Sequence, residues 1–240
     1  MKDRMKQEIV LSQRMQMVAD MVSKGNVVAD LGCDHGYVSI YLLENGICPK
    51  VIAMDVNEGP LLRAKEHIEE RGLSSYIDVR LSDGMEKLLF GEADSVLIAG
   101  MGGRLVIKIL TDCMDKAKDL KEIVLQPQSE LHLVRQFLTD TGFHIIQEDM
   151  VKDNGKFYPA MRVAWREEKA QALSEEELWY GPLLLKEKHP VLQEYLEKEK
   201  AKYAQIAEDI VNNGNNTDKA TEDTIRKRRS LIDTALACFM

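Results

Sequence analysis

From Val27 to Leu125 the chain alternates short apolar, β-branched runs with stretches whose apolar residues recur every three or four positions. The runs are Val27–Leu31, Val51–Asp55, Ile77–Leu81, Ser95–Ala99 and Ile123–Leu125, each of a length that suits a strand buried on both faces. Between and after them, the periodic stretches Tyr37–Asn45, Gly59–Arg71, Arg104–Asp115 and Glu130–Thr141 predict helices long enough to cross over and return the chain parallel. A parallel sheet covered by helices follows, an α/β fold. One more helix is expected over Ile9–Ser23, where Val10, Leu11, Met15, Val18, Ala19 and Val22 share a face and Gly25-Asn26 ends it.

The pattern changes at Phe143–Met150 and Phe157–Trp165, two strand-like runs joined only by Val151–Lys156 with Asp153-Asn154-Gly155 as turn chemistry. So short a link predicts an antiparallel hairpin. Parallel strands closed by a hairpin match the Rossmann-like seven-stranded sheet of class I methyltransferases, whereas a dinucleotide dehydrogenase would continue with further β-α units. Past Trp165 no strand is legible. Leu192, Leu196, Glu199, Tyr203, Ile206 and Ile210 recur at spacings of four and three, residues 212–216 interrupt, and a second periodic run carries Ile225, Ile232 and Leu236. This predicts a C-terminal helical hairpin of coiled-coil type, giving a catalytic domain over 1–166 and a hairpin domain over 167–240.

Composition narrows the function classes. With 45% hydrophobic and 30% charged residues in 240, the chain can bury one sizeable core and a smaller appendage. No long apolar run marks a membrane span or leader, so a cytoplasmic protein without a membrane partner is expected. Cys33, Cys48, Cys113 and Cys238 lack paired spacing, which points to reduced thiols and no metal site. The net charge of −8 disfavours a nucleic-acid partner unless basic residues cluster. Two clusters do occur: Lys2, Arg4, Lys6 and Arg14 near the start, and Arg226-Lys227-Arg228-Arg229 near the end. Each is better explained as a solvated helix surface, so the clusters are weak evidence for nucleic acid.

The first strand runs into Asp30-Leu31-Gly32-Cys33-Asp34-His35-Gly36, small residues where a strand turns sharply into a helix. A dinucleotide fingerprint would present backbone N–H groups to a pyrophosphate; here acids flank the glycines. S-adenosylmethionine has no phosphate but carries an ammonium and a sulfonium, so Asp30 and Asp34 suit it. Asp55-Val56-Asn57 ends the second strand, where Asp55 is placed to accept ribose hydroxyls. Ser82-Asp83-Gly84-Met85 follows the third, with Asp83 a candidate for the adenine amino group and Met85 for the ring face. Capping carboxylates, a plain turn and a buried methionine are the alternatives at these places. After the fourth strand, Gly100-Met101-Gly102-Gly103 allows close backbone approach to a flat substrate beside the transferred methyl. The Asn/Asp-Pro-Pro-Tyr signature of many amino-group methyltransferases is missing there, which disfavours an exocyclic amine as acceptor.

Leu11-Ser12-Gln13-Arg14, Asp30 through Tyr37, Gly59-Pro60, Ile98 through Gly103 and Gln126-Pro127 occur together in that order. In these residues, and over essentially the whole length, the chain resembles the bacterial tRNA adenine-22 N1-methyltransferase family, with Cys33 where serine is more usual. The resemblance implies an S-adenosylmethionine-dependent enzyme that methylates N1 of an adenine in tRNA. Asp34 then becomes a candidate to stabilise positive charge on the base, Arg14 and His35 candidates for base or phosphate contacts, and Tyr158 and Tyr37 candidate stacking platforms. The Arg226–Arg229 run becomes a candidate grip on the tRNA backbone, with dimerisation of the hairpin as its rival. A methyltransferase of a small molecule or protein, or a cofactor-binding module without catalysis, remain the competing functions.

Overall fold

The computed structural model describes residues 8–212 and 219–240, so the basic positions Lys2, Arg4 and Lys6 and the break after Asn212 lie outside the described residues. Two compact units emerge, Met1–Gln171 and Ala172–Met240.

The first unit runs α1 (Gln13–Asp20), β1 (Val28–Leu31), α2 (Tyr37–Glu44), β2 (Val51–Asp55), α3 (Glu58–Glu70), β3 (Ile77–Leu81), β4 (Ser95–Ala99), α4 (Gly103–Asp112), α5 (Met114–Asp119), β5 (Glu122–Gln126), α6 (Leu131–Asp140), β6 (Phe143–Asp153) and β7 (Lys156–Trp165). Its seven strands form one sheet in the order β3-β2-β1-β4-β5-β7-β6. The first five in space are parallel, and β7 is antiparallel to both β5 and β6. Every residue of β1, β2 and β5 is buried, which is why these strands read as unbroken apolar runs rather than alternating ones. Two buried clusters cover the two faces, one around Leu31, Met54, Ile98 and Leu125, the other around Val28, Ile40, Ala53 and Val124. Each fully buried aliphatic side chain there contributes about 1.5–3 kcal/mol.

The strand order reverses between β1 and β4, and at such a switch point the connections leave to opposite faces and open a crevice at the carboxyl ends. All the loops singled out for chemistry emerge at that edge.

Three expectations need correction. Helix α1 is shorter than expected because Ser12, extended at φ −63° and ψ 158°, accepts from Met15 N and starts it late; Val10 is consequently 89% exposed rather than part of the apolar face. The hairpin turn shrinks to Asn154-Gly155, both at positive φ, so β6 and β7 extend through residues expected to be loop. The fourth crossover is two helices, α4 and α5, broken at Cys113.

The second unit contains α7 (Glu175–Tyr180), α8 (Pro182–Lys186), α9 (Pro190–Asn212) and α10 (Lys219–Ala237). The last two pair antiparallel: Lys200 on α9 meets Asp233 on α10 at 2.7 Å, while Ala207 and Ile210 lie opposite Glu222 and Ile225. A capping box at Ser174 and Glu177 starts α7.

Candidate functional site at the carboxyl edge of the sheet

Strand β1 delivers Asp30 into the interior, where its carboxylate accepts from Ser39 Oγ on α2 at 2.6 Å. Burial pushes its pKa up to about 6, partly offset by that hydrogen bond. The chain then turns because Gly32 N and Cys33 N both donate to Met54 O of β2, at 2.8 and 3.1 Å. Gly32 and Asp34 take positive φ, +70° and +47°, and Gly36, also left-handed, precedes α2 where a Cβ would stand only 3.1 Å from Ala64 Cβ on α3. Cys33 is buried, and burial pushes its thiol far up, so it is not a nucleophile. Asp34 is exposed, 3.6 Å from His35 Nε2. Together Asp30, Gly32, Cys33, Asp34, His35 and Ala99 line a cavity of about 200 Å³ roofed by Val10, Leu11 and Met15. Its lining contains no lysine or arginine.

At the end of β2, Asp55 is buried and one carboxylate oxygen is fixed by Asn57 N at 2.9 Å, while Val56 is 58% exposed beside it. Asp83 is exposed beyond β3, and Ser82 N donates to Asp55 O at 2.9 Å, which ties the two strand ends together. Met85 does not face this edge. It is wholly buried in the core cluster with Leu88 and Ile109, and Gly84 at φ +51° turns the chain inward over Ile109. Val56 and Leu81, not Met85, are the exposed apolar residues at these strand ends.

The loop after β4 is held by the loop after β5. Gly100 N donates to Gln126 O at 3.1 Å, Gln128 N to Met101 O at 2.9 Å, and Gly103 N to Ser129 Oγ at 3.2 Å. A Cβ on Gly103 would overlap Ser129 O, so this position has room only for glycine. Met101 reaches back over β1: its Cε lies 2.6 Å from where a Cβ on Gly32 would stand. Arg14 crosses from α1, donating through Nη1 to Gln126 Oε1 at 3.2 Å and lying 5.2 Å from the Tyr158 ring. The two candidates thus form one unit beside the glycine loop. His35 and Tyr37 stack at 5.7 Å, and His67 of α3 joins them at 5.9 and 5.1 Å. His67, Gln126 and Gln128 had no role read from the sequence; Gln126-Pro127 alone gave a hint.

On α10, Arg226, Lys227 and Arg229 are exposed, with Arg226 3.3 Å from Asp223 and Lys227 2.7 Å from Glu175. Arg228 departs from the expected backbone grip. It shares the inward helix face with Ile225 and Ile232, and its guanidinium stacks 3.9 Å from the Trp179 ring and 4.0 Å from Glu199. Among the described residues no cluster of metal-ligand type occurs, and no helix is long and apolar enough to cross a membrane.

A model of the tRNA (adenine(22)-N(1))-methyltransferase family matches residues 28–231. The chain belongs to this family. The tRNA (adenine(22)-N(1))-methyltransferase of Bacillus subtilis is 36% identical over 187 residues, 77% of this chain and 79% of that protein. The crystal structure of Streptococcus pneumoniae Sp1610 superposes with a TM-score of 0.87 at 32% identity, covering 95% of this chain and all of that one. The same protein in complex with S-adenosyl-L-methionine gives a TM-score of 0.84 at 31% identity over 95% and 100% of the two chains. The likeness thus takes in the helical hairpin as well as the sheet.

Proposed function

We propose that the chain transfers the methyl group of S-adenosylmethionine to N1 of adenine 22 in tRNA. Membership of the family carries this reading, and the chemistry of the β1–β2 edge fits the cofactor. Asp30 and Asp34 line the cavity, Asp55 ends the neighbouring strand, and no lysine or arginine is in the lining, the balance that a cationic ligand lacking phosphate requires. Asp55 has one oxygen held by Asn57 N and presents the carboxylate beside exposed Val56, an arrangement suited to a ribose diol and the edge of an adenine ring.

When bound, the cofactor supplies a methyl group on a positively charged sulfur, which the in-plane lone pair of adenine N1 takes directly without prior deprotonation. The protein's own part is positioning and charge. Gly32, Gly36 and Gly100 hold the turns open, and the exposed backbone of Gly100 and Gly102 lets a flat base come close. The methylated base is cationic until it loses a proton, and exposed Asp34 is the carboxylate at the cavity rim that can lower the cost of that charge. His35 and Tyr37 line the cavity, and the Arg14–Tyr158 pair lies beside Gly100; their ring faces and guanidinium suit an exposed nucleobase and its phosphate. In the second unit, Arg226, Lys227 and Arg229 are the residues that would meet the tRNA backbone; Arg228 serves the fold.

The test is transfer of labelled methyl from S-adenosylmethionine to unmodified tRNA, comparing transcripts with adenine or guanine at position 22. 1-Methyladenosine formed only in the first supports the reading; no label in either defeats it.

A further inference from the structure

Pro127 is flanked by two glutamines with opposite fates. Gln126 is wholly buried, and its side-chain oxygen is taken by Arg14 Nη1. Gln128 is exposed, and no other described residue hydrogen-bonds its side-chain amide. Its backbone is nevertheless fixed, because Gln128 N donates to Met101 O at 2.9 Å and so anchors the residue beside the glycine loop whatever its side chain does. The amide nitrogen lies 3.6 Å from the point a Cβ on Gly100 would occupy, and Arg14 Nη1 lies 3.5 Å from that same point. The Gln128 amide, with its own donor and acceptor unspent, thus lies over bare backbone at the loop that borders the methyl acceptor.

The chemistry of the acceptor says what such an amide can do. A base methylated at N1 turns its Watson–Crick edge to the methyl donor, which leaves N6–H and N7 on the other edge for recognition. A glutamine amide pairs bidentately with that edge of adenine, its oxygen accepting from N6–H and its nitrogen donating to N7. Guanine presents two acceptors there, O6 and N7, so the amide oxygen would face O6 without a proton between them. We propose that Gln128 selects adenine over guanine at the methylation site by pairing with N6 and N7 while N1 stays free. This rests on the proposed adenine N1 activity and adds to it the residue that reads the base.

The experiment compares the full-length wild type, Gln128→Ala and Gln128→Glu on tRNA carrying adenine or 7-deazaadenine at position 22. The analogue keeps N1 and N6 but replaces N7 by C–H. Wild type should lose about tenfold in kcat/KM on the analogue, the scale of one lost base contact. Gln128→Ala should lose about as much on adenine and little further on the analogue, since the contact is already gone. Gln128→Glu, which opposes N7 with an acceptor, should be poorest on adenine and improve relative to wild type on the analogue. Retained cofactor affinity and melting temperature in either variant show that the loop is intact. If the losses from variant and analogue simply multiply, or if both variants methylate adenine as wild type does, Gln128 does not read the base. A wild type inactive on adenine 22 would instead remove the proposed function, and the inference with it.

Discussion

Ser39 Oγ donates to the Asp30 carboxylate across 2.6 Å, and both residues are buried. This bond joins β1 to the first turn of α2 and, with a second from the Ser39 backbone, it is what stabilises the ionised Asp30. It does not compensate for burial, so the pKa stands at about 6 against an ordinary 3.8. Between those values the folded chain holds a proton on Asp30 that the unfolded chain has released, so the contribution of Asp30 to stability falls as pH rises from about 4 to about 6. Asp30→Asn should remove that contribution, so the variant should gain on wild type by on the order of 3 kcal/mol between pH 4 and pH 7. Urea unfolding at pH 4 and pH 7 measures both. S-adenosylmethionine should bind wild type more tightly above pH 6 than at pH 5, because a cation favours the ionised carboxylate; calorimetry with a flat profile would remove Asp30 from the cofactor site.

Asp55→Ala should weaken cofactor binding by about tenfold or more, the loss of a charge-assisted hydrogen bond to a hydroxyl. KM for tRNA should be little changed. A variant whose cofactor affinity equals wild type would show that the ribose lies elsewhere.

Gly103 and Gly102 are adjacent yet should respond differently to alanine. At Gly103 the new methyl would overlap Ser129 O and press on Val134, whereas at Gly102 the nearest atom is Ser129 Oγ at 3.4 Å and the backbone is extended. Gly103→Ala should lower the melting temperature and methyl transfer together, at a cost of about 1–3 kcal/mol. Gly102→Ala should keep its melting temperature, and any loss of activity in it reports crowding of the base.

Arg228 and Arg229 are likewise neighbours with different work. Arg228→Ala removes the guanidinium from the Trp179 face and should destabilise the second unit by about 1–2 kcal/mol. Arg229→Glu, at an exposed position, should leave unfolding unchanged while raising KM for tRNA and flattening its salt dependence. An unaltered KM for Arg229→Glu at low salt would separate α10 from tRNA binding.

Much of the fold was legible because the strands of a doubly covered parallel sheet must be apolar on both faces. Val51–Asp55 and Ser95–Ala99 have the same bounds in the sequence pattern and in the structure; so does Ile77–Leu81, although this edge strand buries only Ile77. Where a boundary depends on a cap or a turn conformation, the pattern failed: Ser12 delays α1, and left-handed Asn154 and Gly155 let β6 and β7 run on. The candidate residues at strand ends could be picked out because a glycine or acid breaking an apolar run is visible locally. Met85 was misplaced because an apolar residue after a turn reads the same whether it faces a ligand or the core.

The sequence by itself determined the alternation of strand and helix, the acid-and-glycine turns that end β1, β2 and β4, and the paired helices at the end, since each depends on residues within a few positions of one another. Only the tertiary structure decided that Arg14 would meet Gln126 and Tyr158, that His67 would complete a stack with His35 and Tyr37, and that Gln128 would stand exposed over Gly100 while Gln126 is buried. Those relationships join loops that are distant in the chain and adjacent only after β1, β4 and β5 have paired, and no local periodicity encodes which side chains then share a space.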